Sequence, residues 1–230
     1  HTTMDVASSQ YKDVLPDEPT LEEAEDDQQV LDDMKKARDV AVSYYEYNNM
    51  SDWTLHTDKN GVVLYTRPYE GSDIMMIKVT TEINVPAVEG LKFLRDGDNW
   101  ISFNETIDSY KDLKKIDISN KYTYLLGKSL FIVSARDAVQ FESEIELEDD
   151  SYIRVLMGIK DDRFSRESDS AVELDVNIHC YHFEPIDDNK CKVTKIIHAS
   201  PGGSIPSSTV NWLVGANHDQ FVKLKEVLEK

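Results

Sequence analysis

The sequence predicts an α+β fold in which one antiparallel sheet is covered by a long C-terminal helix. Three observations carry this prediction. Stretches of alternating residues follow one another from Trp53 to Ala199, with turn-type clusters between them. Sequential strands joined by short turns form antiparallel meanders. Finally, Ser207–Glu229 places apolar residues at 210, 213, 214, 221, 224 and 228, near one face of a helix, with Lys223, Lys225, Glu226 and Glu229 on other faces. Such a stripe must be buried, and the concave face of the sheet is the surface available.

Residues 1–19 hold Ser8, Ser9, Pro16 and Pro19 and few large apolar residues, which predicts a flexible tail. Thr20 is an acceptable N-cap ahead of Glu22 and Glu23. One domain is expected from there to residue 230. The apolar spacing Val30, Leu31, Met34, Ala37, Val40, Ala41, Tyr44, Tyr45 predicts a helix over about residues 28–47. Asn60-Gly61 is a hairpin turn signal, followed by strands over Val62–Arg67 and Ile74–Ile83. Pro86 opens a short helix to Leu94. Further strands are expected over Glu105–Ile116, Lys121–Leu126, Ala135–Leu147, Tyr152–Ile159, Val172–Phe183 and Lys192–Ala199.

Composition narrows the function. With 40% hydrophobic residues the chain has material for a sizeable core. No apolar run is long enough to span a bilayer, and the N-terminus shows no signal-peptide pattern. The first residue is not Met, so further sequence upstream is expected. Two cysteines, Cys180 and Cys191, are too few for a disulfide framework, and a cytoplasmic location is the default expectation. The formal net charge is −19, and both the first 50 residues and the remainder are acidic. Nucleic acid is therefore a poor partner, because phosphate binding rests on cationic surfaces. Contact with anionic membranes should be transient for the same reason.

Several motifs then fall into a familiar order: Asn60-Gly61-Val62, Tyr65, Trp100, Ser134-Ala135-Arg136-Asp137-Ala138-Val139, Pro201-Gly202-Gly203-Ser204-Ile205-Pro206 and Asn211. Over roughly residues 28–229 the chain resembles START domains, the lipid-transfer domains related to steroidogenic acute regulatory protein. The resemblance implies a helix-grip fold, with a strongly curved sheet wrapped around the C-terminal helix and a hydrophobic tunnel holding one lipid. It implies a monomeric, non-enzymatic lipid binder that transfers a phospholipid or sterol between membranes, with no cofactor. A lipid-sensing adaptor is the alternative, and an enzyme on a helix-grip scaffold is a third reading. Expected cavity or lid residues are Trp100, Tyr124, Phe131, Arg136, Asp137, Val210, Asn211, Val214 and Phe221, with Gly202 and Gly203 as hinge.

The ligand is less legible than its container. Asp96 and Asp98 precede Trp100, where phosphatidylcholine binders of the family carry a basic residue. Glu142 stands where the sterol carriers have an arginine. A metal reading of His179, Cys180 and His182 fails on alternation, which sends the two histidines to opposite faces. Ser200 and His198 lack a nucleophile elbow or an evident orienting partner, so no hydrolase site is expected.

Overall fold

At Asn60-Gly61 the backbone takes φ of 55° and 71°, the left-handed pair that a two-residue hairpin requires. It joins β1 (Thr54–Lys59) to β2 (Val62–Tyr69), with Lys59 opposite Val62. This hairpin belongs to a computed structural model that describes Leu15, residues 28–130 and residues 133–230. The expected tail and the helix start at Thr20 lie outside the described residues. Leu15 itself is buried.

Ahead of the hairpin, α1 (Gln28–Asn48) closely follows the apolar spacing read from sequence. After it come β3 (Ser72–Ile83) and α2 (Ala87–Arg95), with Pro86 just before the helix, where a missing N–H costs no helical bond. A short helix α3 (Gly97–Phe103) then carries Trp100, and its N-cap Asp96 accepts from the Asp98 amide at 3.0 Å. Seven residues are too few to display a period, so alternation could not reveal it. The meander β4 (Ile107–Lys115), β5 (Asn120–Gly127), β6 (Arg136–Glu146) and β7 (Tyr152–Gly158) follows. A two-residue strand β8 (Val172–Glu173) pairs parallel to β6. The hairpin β9 (Asp175–Asp187) and β10 (Lys190–Ser200) leads to α4 (Ser207–Leu228).

The strands run in the order β1-β2-β3-β10-β9-β7-β6-β5-β4, and all neighbours on this path are antiparallel. Strand β10 joins the two meanders by sitting between β3 and β9. The result is the curved, helix-gripping sheet expected from sequence.

Each face of the sheet has its own core. Outside, α1 packs Leu31, Ala37, Ala41 and Tyr44 against Tyr122, Phe141, Ile153, Cys180 and Ile196. Inside, α4 packs Val214, Phe221 and Leu224 against Val62, Leu64, Val79, Tyr181, Phe183 and Val193. Strict alternation divides the strands between them: on β9, Cys180 and His182 face out while His179 and Tyr181 face in.

The polar ties between α4 and the sheet gather in its C-terminal half. His218 Nε2 lies 3.1 Å from the Lys59 carbonyl and 3.2 Å from that of Val62. Lys225 Nζ donates to the Glu82 carbonyl at 2.8 Å, and Glu229 just beyond the helix accepts from the Asn84 amide at 2.8 Å.

Close packing of α2 on the inner core gives a test. A Cβ at Gly90 would lie 2.7 Å from Phe183 Cε1, whereas one at Gly215 meets nothing within 4 Å. Gly90→Ala should lower stability by about 1–3 kcal/mol through overpacking. Gly215→Ala should be neutral or stabilising by up to about 1 kcal/mol through helix propensity. Urea unfolding of the two variants checks this; equal effects would contradict the packing described.

Candidate functional site

Between the inner face of the sheet and α4 lies a cavity of about 250 Å³. Ile77, Leu125, Leu156, Val176 and Ile197 face it from the strands, and Val210, Leu213 and Val214 close it from α4. Its mouth lies where the lining becomes exposed, at Lys128 and Ser134, beside half-buried Leu130, Val133 and Ile205. At its inner end the lining residues Gln140, His179, Lys195 and Gln220 are all buried. Trp100 forms part of the wall, stacked on Tyr110 with centroids 5.4 Å apart. Its Nε1 donates to the Leu94 carbonyl at 2.9 Å, so the indole offers the cavity an apolar face.

At the mouth, Arg136 holds the segment that leads into α4. Its Nε donates to the Pro201 carbonyl at 2.9 Å and its Nη2 to that of Gly202 at 3.1 Å. Gly202 and Gly203 both take positive φ, 64° and 66°. Consecutive left-handed residues favour glycine, because a Cβ there collides with the backbone.

The enclosed end is polar in a few places. Lys195 is 3% exposed, and its Nζ donates to Asn217 Oδ1 at 2.9 Å and Gln220 Oε1 at 3.3 Å. The ammonium lies 5.6 Å from the Tyr181 ring centroid. Burial holds it far below its usual range, at about 7. His179 is likewise pushed well down, by burial first and by Lys195 second. Neither His179 Nε2 nor the Gln140 side-chain amide has a hydrogen-bond partner among the described residues.

A second polar group lies beyond the lining residues, with its charges paired although Arg154 Nε has no partner among the described residues. Arg154 bonds to Glu142 and, at 2.6 Å, to Glu144, which also accepts from Arg95 Nε at 2.8 Å. Tyr110 and Thr123 hydroxyls donate to Glu142 as well. Burial pushes the Glu142 carboxyl up to about 7, against the opposing pull of Arg154.

The residues singled out from sequence fall into distinct places. Trp100, Arg136, Val210 and Val214 border the cavity. Tyr124 and Asp137 face the other side of the sheet, where the Tyr124 hydroxyl donates to Asp137 at 2.8 Å. Asp137 also accepts from Arg166 Nε at 2.8 Å, so it pairs away from Arg136, its neighbour of opposite parity on β6. Asn211 is exposed, while Phe221 is buried in the inner core without bordering the cavity. Phe131 lies outside the described residues. The polar groups at the enclosed end went unread, although Lys195 interrupts the apolar alternation of Val193 and Ile197, and Asn217 and Gln220 interrupt the stripe of α4. Among the described residues no three His, Cys, Asp or Glu side chains converge as metal ligands would.

The START domain family matches residues 27–226. The chain belongs to the START domain family. Among solved structures, human StAR-related lipid transfer protein 5 superposes with a TM-score of 0.76 at 15% identity, covering 84% of this chain and 95% of that one. The STAR-related lipid transfer protein from Xanthomonas axonopodis has a TM-score of 0.67 at 26% identity, covering 77% of this chain and 99% of that one. The lipid transfer and protein localization domain of human StarD13 gives 0.68 at 14% identity, covering 83% and 95%. A comparison with curated protein sequences finds no match. Within this START fold, the inward-facing lysine is the feature with the clearest energetic signature.

That signature is measurable. Burial pulls the Lys195 ammonium down to about 7 in the folded chain, from an ordinary value of 10.5. Between those values the unfolded chain binds more protons, so the folding penalty at Lys195 fades as pH rises. Lys195→Met should therefore raise Tm at pH 7, and its advantage over the parent should shrink towards pH 10. Thermal unfolding across that range checks it; a constant offset would contradict the burial of an uncompensated ammonium.

Proposed function

We propose that this START domain holds one lipid molecule in the cavity, of the phospholipid or sterol kind, and carries it between membranes without catalysing a reaction. The observation that carries the reading is an apolar space beneath α4, enclosed at one end, with polar groups gathered there. An amphipath matches that distribution. Each methylene moved from water into such a wall contributes about 0.8 kcal/mol, so a lipid tail supplies ample binding free energy. The volume of about 250 Å³ is just below the roughly 300–1,000 Å³ of typical ligand pockets. Seating a whole lipid therefore requires the walls to give. The glycine pair before α4 is the part of the wall best suited to do so.

Among the described residues no hydroxyl lining the cavity hydrogen-bonds to His179 or Lys195, as a nucleophile would to its base. No described helix is long and apolar enough to cross a membrane. Membrane contact is assigned to the rim, where Trp212 is 40% exposed on α4 between cavity-lining Val210 and Leu213. The protein is read as a cytoplasmic monomer that touches membranes briefly, its net charge of −19 opposing residence on anionic surfaces.

Native mass spectrometry of the purified protein, followed by identification of extracted lipid, tests the reading directly. One lipid per chain is expected, together with transfer between vesicles; a chain with neither sinks the proposal. Gly202→Ala and Gly203→Ala each place a Cβ in a left-handed backbone, at a cost of about 1–2 kcal/mol, and should slow transfer several-fold. Trp212→Ala should slow it as well, by weakening contact with the bilayer. Transfer rates unchanged in all three variants would remove the mouth from the mechanism.

A further inference from the structure

The charge lining the cavity is all of one sign. The chain carries 44 Asp and Glu against 25 Lys and Arg. Yet its cavity is lined by Lys128, Arg136 and Lys195 and, among the described residues, by no carboxylate. Two of these cations are accounted for. Lys128 is exposed at the mouth, and Arg136 is engaged with the carbonyls of Pro201 and Gly202.

Lys195 differs. It has no carboxylate within ion-pair distance among the described residues, and only two amide oxygens meet its Nζ. An ammonium offers three donors, so one remains for another acceptor. Buried charge is tolerated when it is paired, as the same fold demonstrates nearby. Arg154, 1% exposed, is met by both Glu142 and Glu144. Beside Lys195 on the neighbouring strand, His179 Nε2 is also without a partner and 9% exposed as a residue. A neutral imidazole protonated at that nitrogen is a second donor aimed at the same region.

We propose that the ligand carries an acidic group, a carboxylate or a phosphate monoester, and that this group seats at the enclosed end of the cavity against Lys195. The inference rests on the cavity being a lipid site; a phosphate monoester narrows the phospholipid reading, and a carboxylate replaces it with a fatty acid. The acid supplies the countercharge that the protein withholds, forming a charge-assisted hydrogen bond with Nζ. The tail then runs along α4 towards the mouth. The eleven steps from Gln220 back to Thr209, both at the cavity wall, span about 16 Å of helix. Arg136 lies at the mouth and its donors already hold the strap before α4, so the acid belongs at the inner end.

Calorimetric titration of the purified chain, delipidated first, with four probes tests this: palmitic acid, 1-oleoyl lysophosphatidic acid, hexadecanol and cholesterol. At least one acid should bind about tenfold or more tightly than hexadecanol, in line with hydrogen bonds to charged groups. Whichever of palmitic and lysophosphatidic acid binds more tightly identifies the acidic group. Lys195→Met and Lys195→Gln, both checked for native circular dichroism, should reduce the acid-to-alcohol ratio by about the same factor. A ratio unchanged in these variants overturns the inference, as does its loss in Arg136→Gln alone, which would place the acid at the mouth. Hexadecanol or cholesterol binding as tightly as the acids overturns the acidic ligand and leaves the lipid container standing. Binding of none of the four overturns the inference, and the lipid extracted from the purified chain then decides whether the container stands.

Discussion

A sheet covered by helices on both faces is the constraint on which everything else in this molecule depends. The outer helix α1 and the inner helix α4 each demand an apolar surface. The strands between them must then be buried on two sides, and any polar side chain they carry needs a local partner. Strand β9 shows the consequence at two histidines three residues apart. His182 faces out and is met by the Tyr44 and Ser151 hydroxyls at 3.2 and 3.0 Å. His179 faces in, borders the cavity, and its Nε2 is met by nothing among the described residues. The face of β9 that each histidine occupies decides whether its ring nitrogens are met within the protein.

The two deeply buried cations illustrate the same contrast in energetic terms. Arginine presents several donors in a fixed fork, and Arg154 uses them on two carboxylates that Tyr110, Thr123 and Arg95 also help to satisfy. Such a network costs desolvation and recovers it through pairing, leaving a stiff wall. Lysine at 195 has a point charge and two amide neighbours. Its desolvation is not recovered within the protein, which places it among the groups that serve a ligand better than they serve folding.

Much of the architecture was legible because its signals are local. The Asn60-Gly61 turn, the apolar spacing of α1, Pro86 before α2 and the stripe of α4 each mark their element within a residue or two. The break of the Val172–Phe183 stretch at Leu174 was not, since β8 owes its existence to a parallel pairing with β6 rather than to its own pattern. The site was harder to read for a reason of parity. Alternation says that Arg136 and Asp137 face opposite ways, but both faces of β6 are buried, and nothing local says which is concave. Tyr124 and Trp100 look equally suited to a cavity from sequence, yet only Trp100 borders one. The readable clue was a charged or amide side chain breaking an apolar face, at Lys195, Asn217 and Gln220.

The uneven fastening of α4 has a mechanical consequence. His218, Lys225 and Glu229 pin one end of this segment to the sheet, while the other end begins after two left-handed glycines. A rod fixed in this way is a lever with its fulcrum near His218. From there to the first residue of α4 is a little over three turns, about 16 Å of arm. A tilt of roughly 15° then carries the free end about 4 Å outward, close to the radius of an acyl chain with its contacts, while Phe221 and Leu224 stay seated in the inner core. Such a tilt, with the Arg136 bonds to Pro201 and Gly202 let go, would open the interior with every helix and strand intact.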